Sequence, residues 1–207
     1  MPDFEEKTLR EAVETAKKIG TKLYLDLPNQ ARHVDMQIIE RVLSGFDGED
    51  FGLVANNLYA FYFKDRFEIV AGIGLNIINK FSKTFYLQLG ASDAIYSIES
   101  NIADISSDCV VYTKGYPVLM TLTHCPFKML YNTTCQECSY RQNVIYKAQD
   151  GRNFALRRRT IGSCYFELVD GYFIDNKKCH NCRTLYDLRT PFKVPKKITK
   201  GMIDKEI

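Results

Sequence analysis

Phe67-Glu-Ile-Val-Ala71 leads through Gly72-Ile-Gly-Leu-Asn76 into Ile77 to Leu89, which Gly90 closes, and then into Ala94 to Ile98. The first and last segments are short and apolar almost throughout, as strands buried on both faces are. The middle segment is long enough for a helix, and a glycine is the usual helix stop. Strand, helix, strand is the unit of a parallel sheet, and the residues on either side repeat it. Upstream, Phe4 to Ile19 is predicted as an amphipathic helix with Leu9, Ala12, Val13, Ala16 and Ile19 on one face and Gly20 as its stop. Lys22 to Leu27 is a strand ended by Pro28, and Asp35 is placed to cap a helix over Met36 to Leu43. Gly52 to Ala55 is a strand and Asn57 to Lys64 a short helix or turn. Downstream come a helical turn at Ile102 to Ser106 and a strand at Cys109 to Tyr112.

Four or five βα steps fit before residue 115, about half of an eight-fold barrel. The chain has 207 residues. A complete barrel takes about 250, so a full barrel is excluded if any part of the chain is something else. The predicted class is α/β: partial TIM-barrel-like βα repeats, followed by a cysteine-rich β-hairpin region. The expected division is 1–115 for the barrel-like part, 116–190 for the cysteine-rich part and 191–207 for a basic tail.

After Gly115 the pattern changes. Tyr116 to Thr123 is one more strand, and no helix is predicted from Cys125 onwards. Asp150-Gly151 between Asn143 to Lys147 and Asn153 to Arg157 signals a hairpin, and Asp170-Gly171 between Tyr165 to Val169 and Tyr172 to Ile174 signals a second.

The formal net charge is +3, too small to imply nucleic acid by itself. The charged N-terminus does not resemble a signal peptide. The longest apolar runs, Phe51 to Phe63 and Ile69 to Ile78, fall short of the roughly 20 residues of a membrane helix. A cytoplasmic protein without a membrane partner is expected. In that compartment the seven cysteines are better read as metal ligands or buried residues than as disulfides. Cys109 opens an apolar strand and is read as a small hydrophobe. Cys135-x-x-Cys138 with Cys179-x-x-Cys182 makes two hooks that suit tetrahedral zinc, although their separation exceeds that of a typical ribbon. His180 is a substitute ligand or a solvated loop residue. Cys125, Cys135, Cys138 and Cys164 form the other grouping, which suits an iron–sulfur cluster as well as zinc. Spacing does not choose the metal.

Four segments resemble a known family. They are Gly74-Leu-Asn76-Ile-Ile-Asn79 with Leu89-Gly90; Tyr96-Ser97-Ile98-Glu99; Gly115-Tyr-Pro-Val-Leu-Met120-Thr-Leu-Thr-His124-Cys125-Pro126; and Asp150-Gly151-Arg-Asn-Phe154 with Cys164. In order and spacing they are similar to the C-terminal part of the core domain of the collagenase-like peptidase family, peptidase family U-thirty-two, from about Lys22 to Phe173. The resemblance implies a TIM-type barrel lacking its first units, with a [4Fe-4S] cluster on Cys125, Cys135, Cys138 and Cys164. It also implies either hydroxylation of RNA bases or of a small ring, or the proteolysis for which the family is named. Cys179 and Cys182 are not part of that pattern.

Other residues are candidates on chemical grounds. Asn76 and Glu99 follow strand ends, on the face where barrel enzymes place their sites. Asn76 also suits a helix cap, and Glu99 a cap for the following turn. His124 beside Cys125 is a candidate base or a packed histidine. Arg152, Arg157, Arg158 and Arg159, with Arg141 and the aromatic Tyr140, Tyr146 and Phe154, form a basic cluster. It is read either as an RNA surface or as a solvated hairpin face. Lys193 to Lys200 adds charge with the same two readings. No Ser/His/Asp or Cys/His arrangement is discernible. A non-catalytic zinc-binding interaction module is the alternative from another functional class. The open edge of a half barrel calls for a partner chain or a second copy of this one.

Overall fold

A computed structural model describes residues 4–100, 110–132, 134, 144–175, 183–187 and 198–199. The predicted turn at Ile102 to Ser106, the residue Cys109 and most of the basic tail lie outside the described residues.

The first half alternates as its sequence requires. Helix α1 (Glu6–Ile19) precedes β1 (Leu23–Asp26), α2 (His33–Ser44) precedes β2 (Phe51–Ala55), and a 3₁₀ segment at Leu58–Phe63 precedes β3 (Glu68–Ala71). Then come a 3₁₀ turn at Ile73–Leu75, α3 (Lys80–Leu89), β4 (Asp93–Tyr96) and β5 (Val110–Gly115). The five strands pair in sequence order and all in parallel, and the sheet curls into a half-barrel. Phe51, Leu53 and Ala55 on one face of β2 are at 2% exposure or less, and on the other Gly52 is buried and Val54 half-buried. That is why its sequence is apolar without alternation.

α1 buries Leu9, Val13 and Ala16 but leaves Ile19 exposed. It ends as predicted: Gly20 sits at φ 67°, where a side chain would be strained, and Thr21 N donates to Ala16 O. Two predicted helix starts are displaced. Arg32, not Asp35, is the N-cap of α2, and Asp35 lies in its first turn, accepting from Arg32 N at 2.8 Å. Ile77 does not begin α3. It bridges to Tyr96, and Asn79 caps the helix by accepting from Ser82 N at 2.9 Å.

The second half builds β6 (Val118–Leu122), α4 (Pro126–Tyr131), β7 (Val144–Lys147), β8 (Asn153–Thr160), β9 (Cys164–Asp170), β10 (Phe173–Asp175), β11 (Arg183–Tyr186) and β12 (Ile198–Thr199). β6, β9, β8 and β7 form an antiparallel sheet in that order. The Asp150-Gly151 hairpin is present, with Lys147 opposite Asn153. Two expectations fail. α4 is a helix where none was predicted, started by Pro126 at its first position, where a missing N–H costs nothing. Asp170-Gly171 is not a hairpin turn. The chain there leaves the small sheet, and β10 pairs antiparallel with β5 in the large one. β11 also pairs with β5, in parallel, and β12 with β10. Residues after 116 therefore serve both sheets, and the β5 edge of the half-barrel is covered by its own chain. At the other edge, β1 pairs with β2 alone among the described residues, and a cleft of about 140 Å³ lies between it and α1.

Polar groups tie the strand starts together. Glu68 accepts from Lys22, from Tyr24 at 2.9 Å and from Ser92 at 2.7 Å. The Lys22 and Ser92 hydrogen bonds hold its carboxyl below the ordinary glutamate value, against the opposing effect of burial. Arg183 on β11 pairs with Asp93 at 2.6 Å. Among the described residues no helix is long and apolar enough to cross a membrane.

Candidate functional site

The strand ends of the half-barrel are held by Asn56, which follows β2. Its amide donates to Asp26 Oδ1 at 2.6 Å and to Leu27 O at 2.7 Å, and its oxygen accepts from Gly74 N at 3.1 Å. Three successive strand ends are thereby fixed by one side chain. Asn76 and Glu99 stand beyond this floor and are both exposed. Asn76 adopts φ 49° at the end of the 3₁₀ turn, a left-handed position that asparagine tolerates. Glu99 N donates to Ser97 Oγ at 3.2 Å. Asn56 is not singled out by any motif; its only signal in the sequence is its place at a strand end.

The small sheet lies against these strand ends through Asp35. That carboxylate, 3% exposed, accepts from Gly162 N at 2.9 Å, Ser163 N at 2.7 Å and Ser163 Oγ at 2.7 Å. Burial opposes its charge, but the Ser163 hydroxyl and the amides of Arg32, Ser163 and Gly162 outweigh this and hold it below the ordinary aspartate value. Ile161 packs on the main core, and Ala155 and Val169 pack on Tyr116 just after β5. Burial also pushes the Tyr59 hydroxyl well above the usual tyrosine value, with nearby Tyr165, Asp26 and Asp35 adding to the effect.

Alternation along β8 then sorts the arginines. Ala155, Arg157 and Arg159 share the face turned to the half-barrel. Leu156, Arg158 and Thr160 share the other, opposite Leu168, Phe166 and Cys164. Arg157 is 8% exposed and its Nε donates to Glu167 at 2.7 Å. Arg158 turns its Nε and Nη2 to Cys164 Sγ, at 3.2 and 3.0 Å. Arg152 pairs with Asp150 at 2.6 Å at the exposed hairpin end. The basic run is thus divided among three environments.

On the outer face of β8 and β9, Phe127 of α4 packs on Leu156 and Phe166, with Cys125 and Cys164 both against this cluster. Phe127 and Phe166 meet edge to face, ring centroids 5.6 Å apart. Cys125 caps α4, its sulfur accepting from Lys128 N at 3.5 Å. Both cysteines are half-buried and free, and both sulfurs receive N–H donors. Cys135, Cys138, Cys179 and Cys182 lie outside the described residues. Among the described residues no three His, Cys, Asp or Glu side chains gather as a metal site. His124 is exposed beside Cys125. Comparison with protein-family models, with curated proteins and with solved structures finds no match to this chain.

Proposed function

We propose that the chain is a peptidase U-thirty-two-like protein that holds a [4Fe-4S] cluster and takes part in hydroxylation of RNA or of a small ring. The observation that supports the metal is the placing of Cys125 and Cys164 against one apolar cluster. They come from separate elements, pack on one apolar cluster and each receive N–H groups on sulfur. Cys135 and Cys138 would complete the set. When bound, the cluster supplies electron-transfer or Lewis-acid chemistry. The protein supplies thiolates, the hydrogen bonds on them and the apolar packing of Phe127 and Phe166. The substrate class rests on the resemblance of the Gly115 to Pro126 stretch and its companions. Of Arg152, Arg157, Arg158 and Arg159, Arg152 on the exposed hairpin is the one best placed to meet an RNA phosphate.

Anaerobic purification followed by absorption spectroscopy and iron, sulfide and zinc analysis tests this. Cys125→Ser and Cys164→Ser are expected to lose the chromophore, and Cys179→Ser to keep it. A colourless protein with stoichiometric zinc overturns the iron–sulfur reading in favour of a zinc-binding interaction module. Cleavage of casein or gelatin by cluster-loaded protein, above a Cys164→Ser control, would favour the protease instead.

A further inference from the structure

Arg157 stands on the opposite face of the small sheet from Cys164. Its side chain is more than nine-tenths buried, and its face of the sheet is the one turned to the half-barrel. Glu167 occupies only the Nε side, through one hydrogen bond at 2.7 Å. Nη1 and Nη2 are both buried and meet no acceptor among the described residues. A guanidinium stays charged at any ordinary pH and its donors are expensive to bury unmet. The Nη1–Nη2 edge matches two oxygens of one carboxylate or phosphate group. Arg159 lies on the same face, opposite Tyr165.

We propose that Arg157 anchors an oxyanion site between the small sheet and the strand ends of the half-barrel, binding the carboxylate or phosphoryl group of a small molecule through Nη1 and Nη2. This does not depend on the iron–sulfur reading, because it concerns the other face of the sheet and needs no metal.

Isothermal titration of the full chain with inorganic phosphate, and separately with acetate, at constant ionic strength tests the site. The expected result is saturable one-to-one binding to at least one anion. The tighter of the two identifies the group recognised. The double variant Arg157→Gln/Glu167→Gln removes both charges without stranding either, and is expected to weaken binding at least tenfold. Arg157→Lys keeps the charge but loses the paired donors, and is expected to weaken binding while circular dichroism shows the fold retained. Absence of saturable binding of either anion to the unaltered protein overturns the proposal. So does undiminished binding in the double variant or in Arg157→Lys.

Discussion

Asp35 and Ser163, 128 residues apart, are joined by two hydrogen bonds of 2.7 Å, one from the Ser163 amide and one from its hydroxyl. One carboxylate in the first turn of α2 thereby positions the β8–β9 turn, and with it the faces on which Arg157 and Cys164 stand.

Asp35→Ala is expected to destabilise the protein by about 3 kcal/mol, the scale of losing hydrogen bonds to a buried charge. The folded carboxyl titrates below its unfolded value. Its stabilisation is therefore complete above the unfolded pKa and is lost as pH falls through the folded one. Urea melts across the acid range are expected to show this loss in the natural protein and a flatter profile in Asp35→Asn.

Phe127→Ala removes the ring that holds α4 on Leu156 and Phe166. A loss of about 3–5 kcal/mol is expected for a buried phenylalanine. Because Cys125 caps the same helix, its alkylation by a maleimide is expected to quicken, read by mass spectrometry beside Cys164.

Arg158→Met deletes both guanidinium donors to Cys164 Sγ while keeping much of the aliphatic volume. Under the iron–sulfur proposal, fewer N–H donors and one less positive charge make the cluster harder to reduce. The midpoint potential in a spectroelectrochemical titration is expected to move negative. An unchanged potential would deny Arg158 this part.

Gly74→Ala tests the strand-end floor. An added Cβ would lie 2.5 Å from Asn56 O and 2.7 Å from Asn56 Cβ, and a backbone atom cannot swing aside. A destabilisation of about 2 kcal/mol or more is expected in denaturant melts. Gly162→Ala meets the Ile38 and Val34 side-chain ends instead, so its cost is expected to be about 1 kcal/mol.

The parallel half of the fold was legible because burial leaves strands such as Phe51–Ala55, and Ile69, Val70 and Ala71 within β3, apolar without alternation. The β7–β8 hairpin was legible because Asp150-Gly151 carries its own turn chemistry. Asp170-Gly171 has the same chemistry, yet what it joins depends on which strand β10 finds, and that strand is β5. Asp35 resembled a cap because capping is a local property. Its bonds to Gly162 and Ser163 are long-range and leave no local pattern. Arg157, Arg158 and Arg159 resembled one basic surface only while the two-residue period of the strand was left out. That period separates Arg158 from its neighbours, and it was present in the sequence. The placing of Cys125 and Cys164 against one cluster needed the pairing of β6, β8 and β9, which no spacing between the two cysteines encodes.

The pairing of β11 with β5 has a consequence for the order of folding. Val110 and Val111 pair on one edge with Ile95 and Tyr96, already made when they appear, and Val110 to Lys114 pair on the other with Arg183 to Tyr186. The Asp35 carboxylate likewise waits for Gly162 and Ser163. Contacts that span so much chain are slow to form, since a large loop must close before they contribute. A nascent chain that has reached β9 would still carry the bare edge of β5. That interval, more than any property of the finished fold, is when the protein is most exposed to pairing with the wrong strand.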